Sequence, residues 1–259
     1  MPVALIVGGH GQVAQHITKQ LVAAKEPATF TVHSLIRNPD QAPEIEKLGA
    51  FPVVQDVEKS SVPELLNVLS RVKPAVVIWA AGAGYQSTPD RIDAVDHQGA
   101  VKIFDALAIA SNAGECGNRL ISISALDIRD RENKPVPDWY NDDDKQRSEM
   151  IWKGIGHFLE AKFKADKELR TGNDKRGLEY TMVRPGGLSN EPGVEIVNAG
   201  KVHLGQMVTR EDIARVVVAS INNPKTIGLA FDVVGGQTPV EDAVNEVGVN
   251  QVDTFEGYY

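Results

Sequence analysis

The chain opens on an unbroken apolar run, Val3-Ala4-Leu5-Ile6-Val7, that stops at Gly8-Gly9-His10-Gly11. The pattern Gln12-Val13-Ala14-Gln15-His16-Ile17 follows at once and continues to Leu21 and Val22. The run reads as a strand buried on both faces, and the residues after the turn read as a helix. Glycine lets the backbone turn sharply at this junction. It also lets an anion approach the first-turn N–H groups, where the helix dipole favours negative charge. Strand, glycine turn and helix in that order predict the first unit of a dinucleotide-binding fold, with Gly8, Gly9, Gly11, Gln12 and Val13 against the pyrophosphate.

At 259 residues and 42% hydrophobic, the chain is large enough for one α/β domain with a sizeable core. Its net charge of -8 argues against general affinity for nucleic acid or anionic membranes. Cys116 is the only cysteine, which excludes an internal disulfide and a cysteine-based metal cluster. It lies in the turn-rich stretch Asn112 to Asn118 and reads as an incidental thiol. No His/Asp/Glu cluster has metal-ligand spacing, so no metal is expected. The first apolar run has no basic segment before it and is too short for a signal sequence, and no stretch is long enough to cross a bilayer. A cytoplasmic protein, monomeric or homodimeric, acting on a small molecule or on none, is expected.

Apolar strand runs alternate with helical segments, the pattern of a doubly wound, mostly parallel sheet with helices on both faces. Strands are expected at Thr29 to Ile36, Pro52 to Gln55, Ala75 to Trp79, Arg119 to Ser124, Tyr180 to Val183 and Phe231 to Val234. Helices are expected at Glu44 to Leu48, Val62 to Val72, Ile92 to Ala110, Ile155 to Leu169 and from the Thr209 cap to Ile221. Residues 127–153, with Pro135, Pro137 and the run Asp142-Asp143-Asp144, interrupt this rhythm and read as a substrate-side insertion. The acidic run reads as a solvated face. Residues 237–259 form a C-terminal extension whose aromatic tail either folds back on the body or meets a partner.

Arg37 narrows the ligand. A site for NAD places an acid after the second strand to accept from the ribose hydroxyls, whereas a 2′-phosphate requires a cation. Leu35-Ile36-Arg37-Asn38-Pro39 puts a guanidinium there and no acid, which predicts NADP(H) rather than NAD. Asp56 and Val57, after the third strand, are placed to edge the adenine. Ala80, Ala81 and Gly82, after the fourth, are small where cofactor and backbone meet.

Together with Ser124, Lys162, the run Tyr180-Thr181-Met182-Val183-Arg184-Pro185-Gly186-Gly187-Leu188-Ser189 and Thr209-Arg210-Glu211-Asp212-Ile213-Ala214, these motifs resemble the short-chain dehydrogenase/reductase superfamily in its atypical, NmrA-like branch. The resemblance runs from Val3 to about Ala243. It implies a Rossmann fold with the nicotinamide over the carboxyl edge of the sheet and Pro185, Gly186, Gly187 and Leu188 lining its side. Catalytic members use Ser, Tyr and Lys, with Tyr four residues before Lys so that both share a helix face. The phenol transfers the proton, the lysine lowers its pKa and holds the ribose, and the serine orients a carbonyl.

By that resemblance Ser124 is the serine, with Ser122 the alternative register, and Lys162 is the lysine, which also holds the cofactor. Phe158 stands at the tyrosine position and has no proton to give. Tyr140, outside the motif, is a substitute only if it swings into the crevice, and His10 either touches phosphate or is an exposed turn residue. Two functions follow. One is an NADP(H)-dependent oxidoreductase of a carbonyl, quinone or flavin-like acceptor, lacking the usual tyrosine. The other is a regulatory protein that senses NADP(H) without turnover. An isomerase or dehydratase without net redox change is a third.

Overall fold

The computed structural model describes residues 1–24 and 29–259. Along the chain these form β1 (Val3–Val7), α1 (Gln12–Ala23), β2 (Thr31–Ile36), α2 (Ala42–Lys47), β3 (Phe51–Val54), α3 (Val62–Val72) and β4 (Val76–Trp79). Then come α4 (Pro89–Ile92), a wide helical turn over Asp93–Gly99, α5 (Ala100–Asn112), β5 (Arg119–Ile123), α6 (Asp142–Arg176) and β6 (Glu179–Pro185). The remainder is β7 (Leu188–Ser189), β8 (Ile196–Gly200), β9 (Val208–Thr209), α7 (Arg210–Asn222), β10 (Ala230–Gly235), β11 (Thr238–Pro239) and α8 (Val240–Val249).

The main sheet has the order β11-β8-β10-β6-β5-β4-β1-β2-β3. All pairs from β3 to β10 are parallel, and β8 runs antiparallel to both β10 and β11. The expected doubly wound Rossmann architecture is therefore present. Strand alternation explains why both faces are covered. Leu5 and Val7 of β1 join one core with Leu69 of α3, Phe104 of α5 and Leu159 of α6, while Ala4 and Ile6 join another with Ile17 of α1 and Val217 of α7. A one-residue slip in β1 would exchange both sets.

The clearest departure from expectation is α6, which starts at Asp142 rather than near Ile155. Asn141 caps it, accepting from the Asp144 N–H at 2.9 Å while its own N–H donates to Asp144 Oδ2 at 3.0 Å. The acidic first turn also suits the helix dipole. The inward positions of this stretch are Asp144 and Ser148, both buried, so no apolar period marks it. Asp144 is thus not part of a solvated face: it accepts from the Leu204 N–H at 2.7 Å and from His203 Nδ1 at 2.6 Å. A break at Ile155, between Gly154 and Gly156, separates this polar stretch from the apolar helix that follows.

The first part of the insertion packs on the body. Leu126 and Tyr140 form a small cluster with Val202, Leu204 and Val234, and the Trp152 indole donates to the Asp127 carbonyl at 3.1 Å. The long helix expected over Ile92 to Ala110 is α4, the wide turn and α5 in succession. The expected C-terminal extension begins with a helix, α8, whose buried face is Val240, Val244 and Val247.

The tail folds back. Phe255 is wholly buried, edge-on to Phe163 at 6.1 Å, and Arg170 lies over its ring and pairs with Asp253 at 2.7 Å. Arg184, buried in β6, ties the same region together. It reaches Asp232 at 3.3 Å, the Ile128 carbonyl at 2.7 Å and the Thr254 hydroxyl at 3.2 Å. Phe255→Ala should therefore destabilise the fold by about 3–5 kcal/mol, measured as a lower urea midpoint with an unchanged slope.

Candidate cofactor site

β1 lies between β2 and β4, so the chain leaves the centre of the sheet in opposite directions from neighbouring strand ends. Their loops diverge and leave a crevice at the carboxyl edge. The glycine turn forms its floor. Gly8 has φ +82, and a Cβ there would stand 2.5 Å from the Ala81 Cα, so neither the backbone conformation nor the space admits a side chain. The N–H groups of Gly8 and Gly9 both donate to the Leu35 carbonyl, at 3.1 and 2.9 Å, locking the turn to the end of β2. Gly11 occupies the N-cap of α1 and brings no capping side chain, and the first turn holds no acidic residue. A helix start left open in this way suits a pyrophosphate, and the cradle fits the expected dinucleotide.

The crevice is a cavity of about 240 Å³. Of the expected cofactor residues, Gly8, Gly11, Arg37, Asp56, Val57, Ala80, Ala81 and Gly82 line it. Arg37 is the first residue past β2 and its side chain is 55% exposed. Asp56 caps its own turn, accepting from the Glu58 N–H at 3.0 Å. His10 also faces the cavity, held by Glu44 at 2.9 Å and Gln41 at 3.0 Å. Leu35, Ile36, Gln41, Gln55, Glu58, Arg91 and Val95, which complete the lining, are not among the residues expected from the sequence. Glu58 follows Asp56 by two positions in the same turn, a spacing that signals its place on the lining. Arg91 comes from α4 and has no local motif to announce it.

The other expected residues lie outside that lining. Gly9 packs against the Ser34 side chain, Val13 against the core shared by α1 and α7, and Gln12 borders a separate cleft with Lys19 and Arg210. Pro185 to Leu188 is held by its backbone: the Pro185 carbonyl accepts from the Leu126 N–H at 2.9 Å, and the Gly186 N–H donates to the Val233 carbonyl at 2.8 Å. Ser124 and Lys162 are both buried and each is taken by a carboxylate. The Ser124 hydroxyl donates to Asp166 Oδ2 at 2.7 Å, and Lys162 Nζ stands 3.2 Å from Asp96 Oδ1. The second Asp96 oxygen accepts from the Ala83 N–H at 2.8 Å. Lys162 therefore ties α6 to the loop that follows Ala80-Ala81-Gly82. Its ammonium lies 5.2 Å over the Phe158 ring, where the family motif has a phenol.

Tyr140 does not stand in the crevice. It is buried in its apolar cluster and burial pushes its phenol far up, so the substitute-acid role has no geometric basis. Cys116 is half-buried and pushed up to about 11 by burial, which leaves it a poor nucleophile. Among the described residues no group of three metal-ligating side chains comes together, and no helix is long and apolar enough to cross a membrane.

Two carboxyls carry unusual protonation. Burial pushes Asp166 up to about 6 despite the Ser124 hydrogen bond, and pushes Asp232 up to about 6 despite Arg184. Each lies above the ordinary 3.8, so the folded chain takes up a proton as pH falls through about 6. Stability rises over that window, and the gain is complete below the unfolded value. Asp166→Asn should accordingly raise the urea midpoint at pH 8, with the advantage shrinking as pH falls through about 6 and gone only below the ordinary 3.8; an offset that does not change with pH would contradict the assignment. Gly8→Ala should abolish measurable dinucleotide binding and cost about 1–3 kcal/mol of stability, read by calorimetric titration and urea melting.

A sequence profile of the NAD(P)H-binding family matches residues 8–224. The chain is 36% identical over 245 residues to the UPF0659 protein C216.03 of Schizosaccharomyces pombe, with 94% of each chain covered. It is 31% identical over 242 residues to the uncharacterized sugar epimerase YhfK of Bacillus subtilis, covering 93% of this chain and 98% of that one. Among solved structures, a protein of Bacillus halodurans provisionally named an NAD-dependent epimerase/dehydratase superposes with a TM-score of 0.74 at 28% identity, over 95% of this chain and 100% of that one. The glycine cradle, the strand order and these similarities lead to one statement: the chain belongs to the NAD(P)H-binding family, of the atypical short-chain dehydrogenase/reductase type.

Proposed function

We propose that this protein is an NADP(H)-dependent oxidoreductase that works without the usual catalytic tyrosine on a small carbonyl, quinone or flavin-like acceptor. The observation that carries the cofactor assignment is Arg37, the first residue past β2, exposed on the rim of the crevice. In this reading the Gly8–Gly11 turn and the first turn of α1 take the pyrophosphate. Arg37 takes the 2′-phosphate, Asp56 and Val57 edge the adenine, and Pro185 to Leu188 border the nicotinamide. The cofactor supplies hydride chemistry when bound; the chain supplies orientation and electrostatics. Lys162, neutralised by Asp96, holds the Ala80–Ala83 loop against α6 rather than activating a phenol. With Phe158 at the phenol position the proton comes from water, which suits acceptors whose reduced form is itself a stable anion or hydroquinone. A cytoplasmic location goes with this reading.

A second reading, an NADP(H) sensor without turnover, is favoured by the capture of Ser124 and Lys162 by buried carboxylates. A third, isomerisation or dehydration without net redox change, finds support in the names of the Bacillus relatives. One set of assays separates them. NADPH should bind at least about tenfold tighter than NADH, and Arg37→Ala should remove that difference; equal affinities in the parent overturn the NADP(H) assignment. NADPH oxidation is then followed with carbonyl, quinone and flavin acceptors in the parent, Phe158→Tyr and Lys162→Ala. Turnover by the parent is the expected result. Tight binding with no acceptor turned over supports the sensor, and activity only in Phe158→Tyr identifies a site that has lost its proton donor.

A further inference from the structure

Arg37 is not alone on the rim. Its Nη1 lies 3.7 Å from Glu58 Oε2, and the same oxygen lies 3.4 Å from Arg91 Nε. The three side chains come from three segments, the residue after β2, the turn that follows β3, and α4 after β4, and all three line the crevice. We propose that Arg91 is a second guanidinium of the anion subsite that Arg37 marks, and that Glu58 between them sets its preference between a phosphomonoester and a free ribose hydroxyl. The proposal rests on the NADP(H) reading above and deepens it.

Two cations sharing one carboxylate oxygen leave this trio of side chains net positive, with several guanidinium N–H groups bonded to no group of the chain; Asp56, on the same lining, is turned to the Glu58 N–H. A phosphomonoester dianion offers three oxygens and can be held by both forks at once, which a single carboxylate oxygen cannot match. The exchange costs little. Side-chain exposures of 55%, 37% and 28% for Arg37, Arg91 and Glu58 place these pairs in the weak, solvent-screened class.

Glu58 nevertheless stays at the site, because its backbone is held on both sides. Its N–H donates to Asp56 Oδ1 at 3.0 Å, and its carbonyl accepts from Lys102 Nζ at 3.1 Å. A carboxylate retained there repels an incoming dianion and accepts from a ribose hydroxyl. Glu58 thus works against the two arginines, and the balance among the three decides how strongly one cofactor is preferred. Arg91 is poised for its part by the Ser87 hydroxyl, 3.4 Å from its Nη1.

The test is calorimetric titration of the full chain and its Arg37→Ala, Arg91→Gln and Glu58→Gln variants with NADPH, NADH and adenosine 2′,5′-bisphosphate at fixed ionic strength. Arg91→Gln should weaken NADPH and the bisphosphate about tenfold and leave NADH within about twofold. Glu58→Gln should strengthen NADPH and the bisphosphate and weaken NADH. If Arg91→Gln leaves both phosphorylated probes unchanged while Arg37→Ala weakens them, the clamp is overturned and the NADP(H) reading stands. A parallel loss of NADH in Arg91→Gln overturns the selectivity role. NADPH and NADH binding alike in the parent and in Arg37→Ala overturns the NADP(H) reading itself, and this inference with it.

Discussion

Everything at the carboxyl edge of this sheet depends on how closely the end of β1 approaches the end of β4. At Gly8 the backbone is left-handed and the Ala81 backbone occupies the space where a Cβ would be. That contact, with the two N–H groups clamped on the Leu35 carbonyl, fixes where α1 begins and leaves its first turn facing open space. The cavity is therefore a consequence of backbone packing. The side chains on its rim choose among ligands that the backbone has already admitted.

A second organising feature is the chain's buried charge. Asp96, Asp166 and Asp232 are each buried and meet, respectively, Lys162, the Ser124 hydroxyl and Arg184. A buried ion without a partner costs several kcal/mol, and the Ser124 hydroxyl and the Lys162 ammonium offset that cost for Asp166 and Asp96. This gives Ser124 and Lys162 a structural reason to be present that is independent of proton transfer. It also joins α6, the element carrying Phe158, to the loop after β4 that borders the crevice.

Much of the fold is legible because it rests on local periodicity. The runs that became β1, β4, β5, β6 and β10 are apolar because both faces of a parallel strand are covered, and α3 begins where Ser61 and Glu64 can satisfy each other, Glu64 accepting from the Ser61 N–H at 2.8 Å. The first half of α6 was illegible for the opposite reason. Its inward residues, Asp144 and Ser148, are polar and are satisfied by Asn141, Leu204, His203 and arginines far away in sequence. Short strands such as β8 draw their partners from β10 and β11, and a five-residue segment carries too little pattern to reveal that.

The sequence by itself determined the glycine cradle, the guanidinium after β2, the small residues after β4 and the absence of a phenol at Phe158. Each is a statement about residue type at a position whose local geometry follows from the strand before it. Only the tertiary structure decided which side chains share the crevice, that Glu58 and Arg91 join Arg37 there, that the aromatic tail folds back and buries Phe255, and that Tyr140 is sealed in apolar packing. The physical reason is the same in every case. Strand ends and turns are set by neighbours in the chain, whereas ion pairs and buried rings are set by crossovers that bring together residues tens of positions apart.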